Sequence, residues 1–390
     1  MNPSASGWIK KLLSEVSTHE TFSNLSKDEF YLALKQSGFI YGSNVASINT
    51  IIPKKDLTDE ELCKVNLLLA FFYFYKAKPN KTKFVDSVIA FYSSINESKS
   101  SFFDAFLGKK KSADLLEDLI NKRIHIDDNI FTKNFNYFIT NALLFVDILA
   151  YQQFLKTNHV SKTYLKQLEA TIETIVIEVF ESKKEKSKYE DSLVRLFEAS
   201  KRYHDKTPLK YDDVIAHIKK PLEKQYIIDI ACMASWSDKV IDSYEKVFLQ
   251  KLGTDLHLSE RVINSSIQDV DSFFTTNVDK IALLSSKNMV QSFYDNSSKM
   301  VSKLISRNSK RLLKELRESK ELMVLLTQST VRDLSDEEQK KMQDQLLDIF
   351  KSIPSLAIFM LPGGAILLPL FIKFIPKLLP SAFDDNRIED

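Results

Sequence analysis

Three carboxylates fall within eight residues in Asp238-Lys-Val-Ile-Asp242-Ser-Tyr-Glu245. Hard oxygen donors at that spacing can hold Mg2+ or Ca2+ weakly. The same residues also spell a helix start, with Asp242 as N-cap and Glu245 three positions on, closing a capping box. Capping is the favoured assignment, because three carboxylates alone make an incomplete cage.

A second set of residues suits polyanion binding. Lys299 to Lys320 carries eight Lys or Arg against two Glu. Lys299, Lys303, Arg307, Lys310, Arg311, Lys314 and Arg317 form a basic contact face. Val301, Leu304, Ile305, Leu312 and Leu316 recur at helical spacing on the other side. Such a helix can lie on anionic lipid or meet ribosomal RNA phosphates. It can also pack by its stripe and leave its charges in water.

Other chemistry has little support. The chain has no P-loop, dinucleotide fingerprint or G-x-S-x-G elbow. His19, His125, His159, His204, His217 and His257 are scattered without ligand spacing, and Cys63 and Cys232 show neither a metal pattern nor a disulfide framework. The expectation is a protein that is not an enzyme and has no cofactor, with a weak divalent cation as the one exception.

The elements that would position these residues are helices. The 390 residues include only 7 Gly and 10 Pro, five of the latter near the C-terminus, so turn signals are scarce. Net charge is +2, which gives no global nucleic-acid signal. Trp8, Ile9, Leu12, Leu13 and Val16 suit a docked terminal helix, and the lysine pair between them argues against a signal peptide. Capping boxes begin at Ser26, Thr58 and Ser335, and Ser259 opens a helix in similar fashion. Helices are predicted over Leu62 to Lys76, Phe84 to Ile95, Phe135 to Leu155, Ser161 to Phe180, Asp191 to Tyr203 and Ile227 to Ala234. The Phe135 to Leu155 stretch has membrane length, but Asp147 and its Asn and Gln residues make it a bundle-core helix. Were it to span, Asp147 would be an intramembrane acid. Lys183 to Lys188, KKEKSK, reads as a solvated junction.

Near the C-terminus, Ser352 to Ile372 is 21 residues without a charge. As one helix it would rise roughly 31 Å, about the thickness of a bilayer's hydrocarbon core. Pro354, Pro362, Pro369, Pro376 and Pro380 punctuate this region. Membrane helices tolerate such prolines better than soluble ones do. Three arrangements remain open: a bent span, a re-entrant or interfacial hairpin, and a buried hairpin turning at Gly363-Gly364. Lys340, Lys341 and Lys351 before the run balance Lys373, Lys377 and Arg387 after it, so charge sets no orientation.

Residues 348–383 resemble the membrane segment of the LETM family, the leucine-zipper, EF-hand-containing transmembrane proteins. The likeness rests on Asp348-Ile-Phe-Lys-Ser-Ile-Pro354, Leu367-Leu-Pro369, Lys373, Pro376 and Leu379-Pro-Ser-Ala-Phe383. The order of these residues is closest to a bacterial, biofilm-associated LETM-related group. Ala365 stands where the family usually has an acid, which puts carboxylate-based transport in doubt. The chain stops seven residues after Phe383, so the soluble region that carries the mitochondrial proteins' ribosome contact is expected to be missing. Residues 221–271 resemble the TerB-like helical domain, with Lys239 in place of its loop glycine.

The expected fold is all-α: multi-helix bundle domains, a TerB-like middle domain and a C-terminal proline-rich hydrophobic helix. Boundaries are placed at 1–182, 189–285, 286–351 and 352–390. The LETM resemblance implies a membrane-associated protein linked to ribosome binding and cation homeostasis. It would sit at the cell (inner) membrane by its C-terminal segment, with the bulk of the chain cytoplasmic. Implied partners are membrane lipid and the ribosome or another cytoplasmic protein, with homo-oligomers through the C-terminal helix. The alternatives are a cation/proton exchanger built from oligomerised C-terminal helices and a soluble helical scaffold.

Overall fold

A computed structural model describes residues 2–17, 22, 24–48, 57–78, 82–95, 112–124, 133–184, 210–236, 241–281, 298, 301–302, 304–306, 308–329, 331–332, 334–353, 356 and 368–378. All regular structure among them is helical, with no strand. The first helices are α1 (Trp8–Ser17), α2 (Lys27–Gln36), α3 (Asp59–Ala77), α4 (Phe84–Ile95) and α5 (Ser112–Ile124). Then come α6 (Lys133–Thr157), α7 (Lys162–Ser182), α8 (Tyr211–His217), α9 (Pro221–Ser235), α10 (Ser243–Asp255) and α11 (Glu260–Asn277). The last are α12 (Ser309–Glu318), α13 (Lys320–Gln328), α14 (Asp336–Ser352) and α15 (Leu368–Leu378). The all-α expectation holds; the predicted helix Asp191 to Tyr203 lies outside the described residues.

Local chemistry fixes the helix starts. Ser26, Thr58, Asp242 and Ser335 each accept from the backbone N–H three residues on, and Glu29, Glu61, Glu245 and Glu338 reach back to the cap's own N–H. These reciprocal bonds satisfy donors that a helix start otherwise leaves open. Ser259 occupies the N-cap of α11 but makes no side-chain cap bond. The end of α2 needs Gly38, whose φ of +82 is left-handed and where a Cβ would stand 1.8 Å from the Ser43 carbonyl oxygen.

The amphipathic α1 docks by Trp8, Ile9, Leu12 and Val16. The buried Glu117 carboxylate on α5 accepts from the backbone N–H groups of Gly7 and Ile9, so it caps α1 from a distant helix. The apolar run of α3 is buried from Leu62 to Phe74, as a helix apolar on every side must be. Phe71 meets Phe91, Tyr92 and Tyr151 edge-on or tilted, tying α3 to α4 and α6. α6 is a core helix: Asp147 is fully buried between Arg123 and Tyr92. α7 packs along α8, α9 and α10, and α9 along α10 and α11.

Lys183 departs from the solvated junction expected of KKEKSK. It is buried, and its Nζ lies 3.4 Å from Glu245 Oε1. A lysine stem can cross apolar surface when a carboxylate waits at its end.

α12 to α15 pack on one another through α12 on α13, α13 on α14 and α13 on α15. The run Ser352 to Ile372 is not one helix. α14 ends at Ser352, and Ile353 takes extended angles (φ −116, ψ 102). Leu368, Leu370, Phe371, Ile372 and Ile375 of α15 are buried, and Phe371 meets Phe350 of α14 edge-on at 5.1 Å. No helix among the described residues is long and apolar enough to cross a membrane. At the described end of the run, Leu368, Leu370, Phe371 and Ile372 are covered by protein, while residues 354–355 and 357–367 lie outside the described residues. Pro376 lies inside α15, where its missing N–H frees the carbonyl of Ile372. Pro354, Pro362, Gly363, Gly364 and Pro380 lie outside the described residues.

Candidate functional site

The basic stretch is divided in three. Residues 301–302 and 304–306 are helical. Asn308 breaks the helix with φ −99 and ψ 10 while its side-chain amide donates to the Leu304 carbonyl at 2.7 Å. α12 then runs to Ser319, whose φ of −122 and ψ of 85 separate it from α13. Val301, Leu304, Ile305, Leu312 and Leu316 are all buried. Lys310, Arg311, Lys314 and Arg317 are exposed. Positions 310, 314 and 317 follow the i, i+4, i+7 rule and share a face. Lys299, Lys303 and Arg307 lie outside the described residues.

The neighbours of α12 hold it in place by polar contacts at the rim. Ser352, the last residue of α14, donates to Glu315 of α12 at 3.2 Å. Ser319 donates to Gln345 at 2.5 Å, and Glu321 of α13 accepts from Lys341 at 3.1 Å and from Gln345 at 2.8 Å. Those bonds from Lys341 and Gln345 hold Glu321 below the usual carboxylate range. On α15, Lys373 and Lys377 are exposed, opposite the buried apolar residues.

The carboxylate set on α10 is placed as a cap. Asp242 Oδ1 accepts from Glu245 N–H at 2.8 Å, and Glu245 Oε2 accepts from Asp242 N–H at 2.9 Å. The remaining Glu245 oxygen faces Lys183. Asp238 lies outside the described residues, and among those described no group of His, Cys, Asp or Glu is arranged to hold a metal ion. His159, His217 and His257 are exposed.

Two buried charge networks were not foreseen from sequence. In the first, Lys35 of α2 reaches Asp229 of α9 at 3.5 Å and also bonds Asp269 of α11. Tyr31 donates to Asp229 at 2.8 Å, and Gln225 joins Asp229 to Ser266 at 3.2 Å each. Burial pushes Asp229 up, with Lys35 pulling it part of the way back. Burial opposes the charge on Lys35, but Asp229 and Asp269 together raise it. In the second, Arg123 of α5 pairs with Asp147 of α6. The available signal was a lone charge inside an apolar run, as at Asp229 in IIDIACMA and Asp147 in LLFVDILA. Such a charge needs a partner when its helix is buried.

Residues 334–390 match the family described as LETM1-like, RBD. The C-terminal segment is LETM1-like. A mitochondrial proton/calcium exchanger protein of Drosophila melanogaster is 42% identical over 55 residues. That match spans 14% of this chain and 5% of the exchanger's length. No solved structure matches the chain. Within the LETM1-like segment, α14 presents Lys341 and Gln345 to α13, and α15 lays its apolar side into the group formed with α13 and α14.

Proposed function

We propose that this chain is a non-enzymatic, LETM-like helical protein that works at a membrane and holds an anionic partner there, lipid headgroups or the ribosome, through the basic face of α12. The observation that carries the proposal is the exposure of Lys310, Arg311, Lys314 and Arg317 on a helix whose Leu312 and Leu316 are buried. Packing has consumed the apolar side and left the cationic side to meet a partner. The LETM1-like segment at 334–390 supports the membrane setting; the proposal places the bulk of the chain on the cytoplasmic side. The pairs Lys35–Asp229, Arg123–Asp147 and Lys183–Glu245 support a structural rather than catalytic use of these charges, since each is met by an opposite one. We take α9 to α11 as a TerB-like unit within the same framework.

Co-sedimentation with ribosomes and with anionic vesicles tests this. Binding to one or both should weaken between about 50 and 200 mM salt, as counterion-linked contacts do. A chain that binds neither at low salt, or binds regardless of charge reversal on α12, removes the proposal.

The name of the Drosophila relative favours a second reading, cation/proton exchange by oligomerised C-terminal segments. Calcium or proton flux in liposomes reconstituted with the full chain tests it. Flux no greater than in empty vesicles removes it.

A further inference from the structure

We propose that Lys35, Asp229 and Asp269 form a proton-operated latch, which takes a proton at Asp229 and thereby fastens the turn after α2 to α11. The charge count comes first. Lys35 Nζ of α2 lies 3.5 Å from Asp229 Oδ1 on α9 and also bonds Asp269 on α11. The side chains of Lys35 and Asp229 are 8% and 0% exposed, and that of Asp269 is 31% exposed. One cation thus faces two carboxylates. With both ionised, one negative charge is left over in a place that water barely reaches, which is costly. A single proton cancels it. Asp229 is the group that takes it, because Asp269 keeps part of its hydration. Burial pushes Asp229 up, and Lys35 pulls it part of the way back.

The surroundings fit an acid that changes state. Tyr31 and Gln225 donate to Asp229 at 2.8 and 3.2 Å. The Tyr41 hydroxyl is buried and has no hydrogen-bond partner among the described residues. Burial, and after it Asp229 and Asp269, push Tyr41 up, so it is a neutral hydroxyl in the field of both carboxylates. A protonated Asp229 becomes a donor, and the Tyr41 oxygen is an unused acceptor in the same region. Burial likewise keeps the nearby Cys232 thiol neutral. Elsewhere around α9 the charged groups are Asp147 on α6 with Arg123, Glu169 and Glu173 on α7, Glu223 with Lys220, and Glu245 on α10 with Lys183.

The latch has something to move. Lys35 stands two residues before a turn closed by three backbone bonds: Gly38 N–H to Lys35 at 2.9 Å, Ser43 N–H to Gly38 at 3.0 Å and Val45 N–H to Ser37 at 2.9 Å. The Tyr41 ring of that turn rests on Phe273 and Phe274 of α11 at 5.0 and 5.8 Å. Lys35 and Tyr41 therefore hold the same turn to the same helix. While Asp229 is ionised, the surplus charge favours opening, which admits water. A proton removes that drive and leaves Lys35 to Asp269. The turn is held most firmly in acid. It loosens as pH rises from the unfolded carboxyl value near 3.9 through the raised folded one. The lysine's own loss of charge belongs to a separate alkaline range, above about 10.4.

The test uses the full chain. Carbon-detected NMR follows the Asp229 carboxyl, and hydrogen exchange, corrected for its intrinsic rate, follows the amides of Gly38, Ser43 and Val45 between about pH 4 and 8. The Asp229 midpoint should lie above about 3.9. Protection of the three amides should fall as pH rises to that midpoint, by up to about tenfold per unit, and level off beyond it. Ser329, whose N–H bonds the Leu325 carbonyl on α13, is the control and should show no such fall. Asp229→Asn should hold protection at its acid level throughout. Asp269→Asn leaves one carboxylate to Lys35, so the Asp229 midpoint and the break in protection should move to lower pH together. Asp269 is partly exposed, so this second variant tests the latch even where Asp229→Asn does not fold. A parent midpoint at or below about 3.9, protection that does not follow the midpoint, or a midpoint that Asp269→Asn leaves in place overturns the latch.

Discussion

Arg123 grips Asp147 through two parallel hydrogen bonds, Nε to Oδ2 at 2.7 Å and Nη2 to Oδ1 at 3.1 Å, with both side chains buried. Tyr92 donates to the same Oδ2 at 3.1 Å, so one carboxylate joins α4, α5 and α6. Burial opposes the guanidinium charge, and Asp147 overrules it. Removing one member of a buried pair strands the other, at a cost of about 3–5 kcal/mol. Arg123→Met should lower unfolding stability in urea by that amount. Arg123→Met with Asp147→Leu should recover most of it, because the stranded charge is then gone. A single variant within about 0.5 kcal/mol of the parent, the range of an ordinary surface change, contradicts the assigned role.

Lys35 and Asp229 make a pH-dependent counterpart. Asp229 is raised by burial, so the folded state binds its proton more readily than the unfolded chain does. Its contribution to stability therefore grows in acid and is lost as pH rises through the folded value. Lys35 is raised as well; its contribution is present below its unfolded value and lost as pH climbs through the folded one. Both favour the fold below neutrality. Lys35→Met should cost about 3–5 kcal/mol near pH 7.5, where Asp229 would be left charged in the core. The cost should be smaller at pH 5, because burial raises Asp229 and eases its protonation as pH falls. Chemical denaturation at the two pH values measures this, and an equal cost at both would show that Asp229 is not the group left behind.

The cap at α10 separates stability from cation binding. Asp242→Ala removes an acceptor for Glu245 N–H and should cost about 1 kcal/mol. Glu245→Ala should cost more, because Lys183 then lies buried without that carboxylate. Adding about 1 mM Ca2+ should leave the thermal midpoint of the parent and both variants unchanged, since the two carboxylates are committed to the cap and to Lys183. A rise confined to the parent would assign the site to a cation instead.

What the sequence reveals follows from the range of each interaction. Ser26 with Glu29, Thr58 with Glu61 and Ser335 with Glu338 are three residues apart, so residue types alone mark these helix starts. The buried stripe Val301, Leu304, Ile305, Leu312, Leu316 is equally local, although the breaks at Asn308 and Ser319 are not. Lys35 and Asp229 are 194 positions apart, and no local pattern pairs them. The C-terminal run is ambiguous for another reason. Leu370, Phe371 and Ile375 suit lipid and a protein core equally, since hydropathy reports only removal from water. Which apolar surface receives them is a tertiary fact, and the fold supplies α13 and α14.

The entry to the LETM1-like segment offers the last test. Arg332 pairs with both oxygens of Glu338, at 2.9 and 2.7 Å, while Glu338 also accepts from Ser335 N–H at 2.8 Å. The Arg332 bonds, and after them Ser335, hold the Glu338 carboxyl down to about 2. A carboxyl whose folded value is depressed adds stability above its unfolded value, near 4.3, and that stability is lost as pH falls through the folded value. The start of α14 should therefore loosen between about pH 4.3 and pH 2. Carbon-detected NMR titration of Glu338 should show the depressed midpoint, and Arg332→Ala should return it towards 4.3. Solvent screens this exposed pair, so the effect on global unfolding should be small while the titration shift stays large. A midpoint unchanged by Arg332→Ala would mean that the capping box alone depresses the carboxyl and that Arg332 only covers it.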